Sequence, residues 1–194
     1  EAFLATTHGR DIIGYLDLAA TSDGKVLGMK LRLIADIGAY NMLLTAAIPT
    51  LTMMMANATY DIPAIRTTLT EVFTNKTPTD AYRGAGRPEA TYFVERGMDM
   101  LARELGMDPG DLRRKNFIQP DQFPYATQMG AVYDSGDYAR CLDIALELVD
   151  ADSVEERRTE AAARGKLLGL GIGSTLDSGT NNFAQSQLLN PELQ

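Results

Sequence analysis

The sequence is poor in the residues from which many sites are built. A single cysteine, Cys141, cannot close an internal disulfide, which suits a reducing compartment. A single histidine, His8, cannot build a zinc site by itself, and no serine or cysteine partner stands near it in sequence, so it reads as a structural or surface residue. No apolar run reaches the roughly 20 residues that a bilayer-spanning helix needs. No basic stretch precedes an apolar segment and cleavage site, so no secretory leader is expected. Positive charge is also scarce: a formal net charge of −8 argues against a broad phosphate-binding face, and nucleic acid is not an expected partner. Repeats and low-complexity tracts are absent. The usual nucleotide motifs fail as well. G-x-G-x-x-G would require glycine at position 89, where Glu89 stands, and no Gly-Lys-Ser/Thr follows as in a phosphate loop.

What remains is ordinary globular material. With 194 residues, 45% of them hydrophobic and 23% charged, the chain can bury a sizeable core in one or two domains. It opens on Glu1 and closes on Gln194 without terminal structure of its own, which reads as a piece of a longer polypeptide. Glu1 to Thr7 suggests a strand. The Asp23-Gly24 turn between Ile12–Thr21 and the alternating run Leu27 to Ala35 predicts an antiparallel hairpin over about Ile12 to Ile37. Leu27, Met29, Leu31 and Leu33 are expected on its buried face. Asn41 to Thr59 is mostly apolar, with Pro49 opening a helix and Met53, Met54 and Met55 as core filler. Ala64 to Thr74 alternates again.

The centre of the sequence is Ala81-Tyr82-Arg83-Gly84-Ala85-Gly86-Arg87-Pro88-Glu89-Ala90, between that run and the clearest amphipathic helix, Pro88 to Leu105. Pro88 suits a first helical turn, Glu89 faces the positive end of the macrodipole, and Gly106 supplies a stop. Phe93, Met98 and Leu101 are expected among the most buried side chains. The loop aims backbone donors and two guanidiniums, Arg83 and Arg87, at one region, which is the chemistry of an anion site. Gly84 and Gly86 permit close approach of a ligand to the backbone. A plain glycine-rich connection with solvated arginines would look the same locally.

Downstream, Asp108-Pro109 reads as N-cap and first residue of a short helix whose end, Arg113-Arg114-Lys115, is a solvated basic terminus. Glu95 and Asp99 lie one turn apart, with a surface ion pair from Asp99 to Arg103 as the simplest account. Asp137 caps a helix whose apolar face is Tyr138, Cys141, Leu142, Ala145, Leu148 and Val149, which makes Cys141 a small buried hydrophobe. Ser153 to Arg164 is a polar helix stopped by Gly165. Leu167 to Gly173 reads as a glycine-interrupted strand, and Ser174 to Asn182 as a loop.

The stretch Ala81 to Ala90 resembles the active-site loop of the molybdenum-binding large subunits of the xanthine dehydrogenase/aldehyde oxidase family, most closely their carbon-monoxide-dehydrogenase-like second form. The flanks resemble it too: Asp36-Ile-Gly-Ala-Tyr40, Thr74-Asn75, Glu95-x-x-Met98-Asp99, Asp108-Pro109, Arg113-x-x-Asn116 and Tyr133-x-Ser135-Gly136-Asp137-Tyr138. The resemblance covers nearly the whole chain. It implies an α+β fold of antiparallel strands with packed helices, part of a molybdopterin-binding domain. Residues 1–150 would belong to a first molybdopterin-binding domain, 151–165 to a helical connector, and 166–194 to the start of a second half.

It also implies an oxidoreductase that hydroxylates a carbon centre, in an aldehyde, N-heterocycle or similar small molecule, with oxygen from water. The cofactor would be molybdenum-molybdopterin in its cytosine dinucleotide form, with the metal held by the pterin dithiolene rather than by this chain. FAD would sit on a medium subunit and 2Fe-2S clusters on a small subunit, in a cytoplasmic dimer of heterotrimers. Arg83, Gly84, Ala85 and Gly86 would contact the cofactor, and Ala85 and Gly86 would line the substrate side. Two departures from the family pattern bear on substrate. Xanthine-type enzymes carry an aromatic residue where Ala85 stands, and true carbon monoxide dehydrogenases carry Cys-Ser-Phe where this chain has Gly84-Ala85-Gly86, so the copper-binding thiol is missing. The family's catalytic glutamate lies near the end of the full subunit. No catalytic residue is therefore expected in this piece, which alone should be inactive. The competing expectation is a non-catalytic α+β module whose Arg83-Gly-Ala-Gly-Arg87 loop binds a phosphate-containing ligand or a partner protein.

Overall fold

The computed structural model describes residues 6–177. Most of the first expected strand, Glu1 to Thr7, and the far end of the last expected loop lie outside the described residues; Thr6 and Thr7, which are described, are not in a strand.

Strands β1 (Ile12–Ala20) and β2 (Val26–Gly38) form the expected antiparallel hairpin. The inner face of β2 carries Met29, Leu31, Leu33, Ala35 and Ile37, all buried, while Lys30 and Arg32 face outward. Leu27 departs from expectation: it is exposed, and Val26 is buried in its place. The register explains this. Ala19 pairs with Gly28 but Ala20 pairs with Val26, so Leu27 is the extra residue of a bulge. A one-residue insertion reverses the side-chain faces beyond it.

From β2 the chain passes through helix α1 (Ala47–Met54) to strand β3 (Ile65–Phe73), which joins the far side of β2 in parallel. A parallel neighbour needs a crossover, and α1 supplies it. The α+β class holds, with antiparallel pairing in the hairpin and in the short pair β4 (Tyr125–Ala126) and β5 (Val132–Tyr133).

Helix α2 (Arg87–Leu105) packs across the sheet. Its most buried stripe is Ala90, Val94, Met98 and Ala102, spaced one turn apart; Phe93 and Leu101, expected to be as deep, are half-buried at its edges. Helix α3 (Pro109–Asn116) begins as expected, with the Asp108 carboxylate accepting from the amides of Gly110 and Asp111. Asn116 at its end is buried and satisfied. Its Oδ1 accepts from the Val26 amide at 2.8 Å, and its Nδ2 donates to the carbonyls of Gly24 and Leu112, each at 2.8 Å. One amide thus ties the hairpin turn to α3. The core lies between β2, α2, α3 and the buried segment Ala56 to Ile62, where Tyr60 stacks on Phe117 with ring centroids 5.4 Å apart.

Helix α4 (Tyr138–Leu148), capped by Asp137 as expected, corrects another assignment. It packs through Tyr138, Ala139, Leu142 and Leu146, whereas Cys141, Ala145, Leu148 and Val149 are exposed. Two apolar faces overlap on this helix, and α4 meets α3 along only one of them. Helix α5 (Val154–Ala163) follows, and its end passes through Gly165 at a φ of 69°. The expected strand from Leu167 to Gly173 does not form: no strand is present over 166–177. The Leu168 and Ile172 carbonyls accept from the Arg158 and Arg113 guanidiniums instead of from a neighbouring strand.

Candidate functional site

The loop from Ala81 to Gly86 is built from two successive turns. The Ala85 amide bonds the Tyr82 carbonyl at 3.0 Å, and the Arg87 amide bonds the Gly84 carbonyl at 2.9 Å. Gly84 and Gly86 each sit at a φ of 83°, which a Cβ would strain. Their surroundings differ. A Cβ on Gly84 would touch nothing closer than the Pro88 ring at 3.7 Å, so this backbone lies open. A Cβ on Gly86 would meet Leu51 and the Thr52 amide at 2.6 Å. Gly86 is buried against α1, so its smallness serves helix packing, and Gly84 is the glycine a ligand could approach.

The two arginines also part company. The Arg83 side chain is exposed and has no partner among the described residues, and the amides of Arg83 and Gly84 meet no acceptor there. Arg87 is mostly buried. Its Nε is paired with the Asp177 carboxylate, and its Nη1 points to the Ala85 carbonyl at 3.5 Å. An open cleft of about 450 Å³ lies beside the loop, lined by Gly84, Arg87, Pro88, Thr91, Thr175 and Asp177 among others.

Arg10, to which no local pattern drew attention, fastens the other side. Its guanidinium pairs with the nearly buried Glu89 carboxylate, donates to the Arg83 carbonyl at 3.3 Å, and lies 5.6 Å from the centre of the Tyr82 ring. Glu89 therefore meets positive charge from two sides: the first turn of α2 and the Arg10 guanidinium across it. Arg10 and Arg83 stand 73 positions apart, so only the fold could join them.

Behind the loop lies a network that overturns two expectations. Arg113 is fully buried rather than part of a solvated terminus, and Asp99 pairs with Arg113, not with Arg103. Arg113 Nε donates to Glu95 Oε2 at 2.8 Å and Nη2 to Asp99 Oδ1 at 2.8 Å. Further bonds reach the carbonyls of Pro109 at 3.1 Å, Glu95 at 3.3 Å and Ile172 at 3.2 Å. The Tyr60 hydroxyl donates to Glu95 Oε1 at 2.6 Å. Burial pushes the Tyr60 phenol well above its ordinary range, and the Glu95 charge adds to the effect. For Arg113, burial opposes the charge, but Tyr60, Glu95 and Asp99 outweigh it and hold the guanidinium protonated. The planar fork of donors suits this arrangement, because every acceptor around it is fixed. These carboxylates are clamped and serve as supports.

The loop's open part thus matches what an anionic cofactor requires: one free guanidinium, free amides, and a glycine without overlying atoms. Comparison with known proteins fits that chemistry. The family model described as "Molybdopterin cofactor-binding domain" matches residues 1–117. The chain belongs to this family. More broadly, it is a portion of a molybdenum-binding large subunit of the xanthine dehydrogenase type. It is 41% identical over 167 residues to the carbon monoxide dehydrogenase large chain of Hydrogenophaga pseudoflava, covering 84% of this chain and 20% of that protein. It is 33% identical to the nicotine 6-hydroxylase large subunit of Paenarthrobacter nicotinovorans, over 96% of this chain and 23% of that one. Among solved structures, quinoline 2-oxidoreductase from Pseudomonas putida 86 superimposes with a TM-score of 0.76 at 32% identity, covering 84% of this chain and 21% of that one. The chain therefore spans about a fifth of the length of these relatives.

Proposed function

We propose that this chain forms one wall of the cofactor site of a molybdenum hydroxylase, whose full enzyme oxidises or hydroxylates an aldehyde, an N-heterocycle or a similar small molecule with water-derived oxygen. The observation that carries the proposal is the coincidence of the family match with an open Gly84 and an exposed Arg83 at the mouth of α2. When bound, the molybdenum pterin supplies the redox centre, in its cytosine dinucleotide form, with FAD and 2Fe-2S clusters on medium and small subunits carrying electrons away in a cytoplasmic dimer of heterotrimers. The chain's own residues bind and orient. Arg83 holds fixed positive charge against the cofactor's anionic groups, and the Arg83 and Gly84 amides add donors that need no reorganisation. Ala85 faces the substrate side with a methyl group only, leaving room for a ring. Gly86 contributes through its backbone while it anchors the loop to α1. Gly84 lacks the thiol that copper would need, which disfavours carbon monoxide as substrate.

Residues 1–150 are assigned to the first molybdopterin-binding domain, 151–165 to a connector, and 166–194 to the start of the second half. No catalytic base is assigned within the chain, which by itself should be inactive.

The test is molybdenum content and single-turnover reduction in the full-length subunit with its partners. Arg83→Ala is expected to slow reduction by about 100-fold or more, as loss of a preorganised donor does. Arg83→Lys should rescue poorly, since one ammonium cannot replace the planar fork. Gly84→Val should lower molybdenum occupancy, and His8→Gln should leave both readouts unchanged. Unaltered rates in fully loaded Arg83→Ala would overturn the proposal.

A further inference from the structure

Residues 172–177 carry no helix or strand, yet they are tied to the molecule at several points. The Ile172 carbonyl accepts from Arg113 at 3.2 Å. The hydroxyls of Thr175 and Thr91 lie 3.1 Å apart, and Asp177 pairs with Arg87. Thr91 and Arg87 lie on α2 itself, and Arg113 is bonded to Glu95 and Asp99 of that helix, so the contacts run from the Glu95–Asp99 region of α2 back to its first residue. The lengths agree: an extended chain from 172 to 177 covers about 17 Å, and α2 from Asp99 back to Arg87 rises about 18 Å.

We propose that this segment is a strap that positions the Arg83–Gly86 loop, with Asp177 as its terminal positioning residue. Asp177 holds Arg87, and Arg87 reaches back to the Ala85 carbonyl, so the ion pair sets where the Gly84 backbone and the Arg83 side chain lie. The two loop arginines then divide the work. Arg87 is neutralised and structural, and Arg83 is the cation left to meet an anion. The second half of this division rests on the cofactor site proposed above; the positioning role of Asp177 does not.

The test is amide hydrogen exchange over residues 82–87 in the cofactor-free full-length subunit, with molybdenum content of the loaded protein measured in parallel. Asp177→Asn is expected to speed exchange of the hydrogen-bonded Ala85 and Arg87 amides roughly tenfold, because local opening loses its main constraint. Asp177→Glu should restore slow exchange, and the swapped pair Arg87→Asp with Asp177→Arg should be slower than either single variant. Thr175→Val gives a milder second probe that leaves the carboxylate in place, and should speed exchange severalfold. Arg83→Ala should leave exchange unchanged while lowering molybdenum content. Parent-like exchange in Asp177→Asn, or a swapped pair no better than the singles, would overturn the strap. Fast exchange in Asp177→Asn with parent-like molybdenum content in Arg83→Ala would support the strap while overturning the cofactor role of Arg83.

Discussion

Single residues here are decided by who faces them. Arg113 is the clearest case. Its sequence neighbours Arg114 and Lys115 stay at the surface and pair with Asp143 and Asp23, while Arg113 lies fully buried against Glu95 and Asp99. Removing one member of such a cluster leaves an uncompensated charge inside. Arg113→Met is therefore expected to cost about 3–5 kcal/mol in urea unfolding. Arg113→Lys should recover little of it, because one ammonium cannot meet five separate acceptors. Cys141 marks the opposite extreme. It is exposed, so Cys141→Ser should change stability by no more than about 0.5 kcal/mol.

At the scale of elements, the hairpin and α2 obey their periodicities except where one residue interrupts them. The bulge at Leu27 makes a prediction that the simple alternation would reverse. Leu27→Lys should be tolerated within about 0.5 kcal/mol, whereas an inner-face leucine could not be replaced so cheaply. Met98→Ala, in the buried stripe of α2, should cost about 2–5 kcal/mol from lost contacts and the cavity left behind. Urea midpoints of the two variants, measured side by side, check both statements. The last expected strand fails for a different reason: Leu167 to Gly173 has strand-like residues, but its Leu168 and Ile172 carbonyls bond arginine side chains rather than a strand.

For the molecule as a whole, charge distribution sets how it responds to acid. The hydrogen bond from Lys115, helped by that from Thr21, holds Asp23 at about 2, below its ordinary value of 3.8. Asp61 is also held low: burial opposes this, but Lys25 and Tyr125 outweigh it. A carboxylate depressed on folding contributes stability that is present above its unfolded value and lost as pH falls toward the folded one. The chain should therefore lose stability progressively between about pH 4 and pH 2. Lys115→Met should be less stable than the parent at neutral pH, and the two should converge below about pH 2, where Asp23 is protonated in both. Urea midpoints measured across that range check the convergence; parallel curves would show that Asp23 gains nothing from Lys115.

Much of this architecture depends on local chemistry and is visible in the order of residues. The Asp-Gly turn, the period-2 run of β2, Asp108 and Asp137 as caps, and Pro88 near the start of α2 all act through neighbours a few positions away. The loop motif is equally contiguous, so its likeness to molybdenum-binding large subunits could be read directly. Depth and partnership could not. Which arginine is buried, which glycine is open, which face of α4 is covered, and that Arg10 and Asp177 grip the same loop depend on groups far apart in sequence. Burial and charge pairing are properties of the space around a side chain, and that space is created only when distant segments pack.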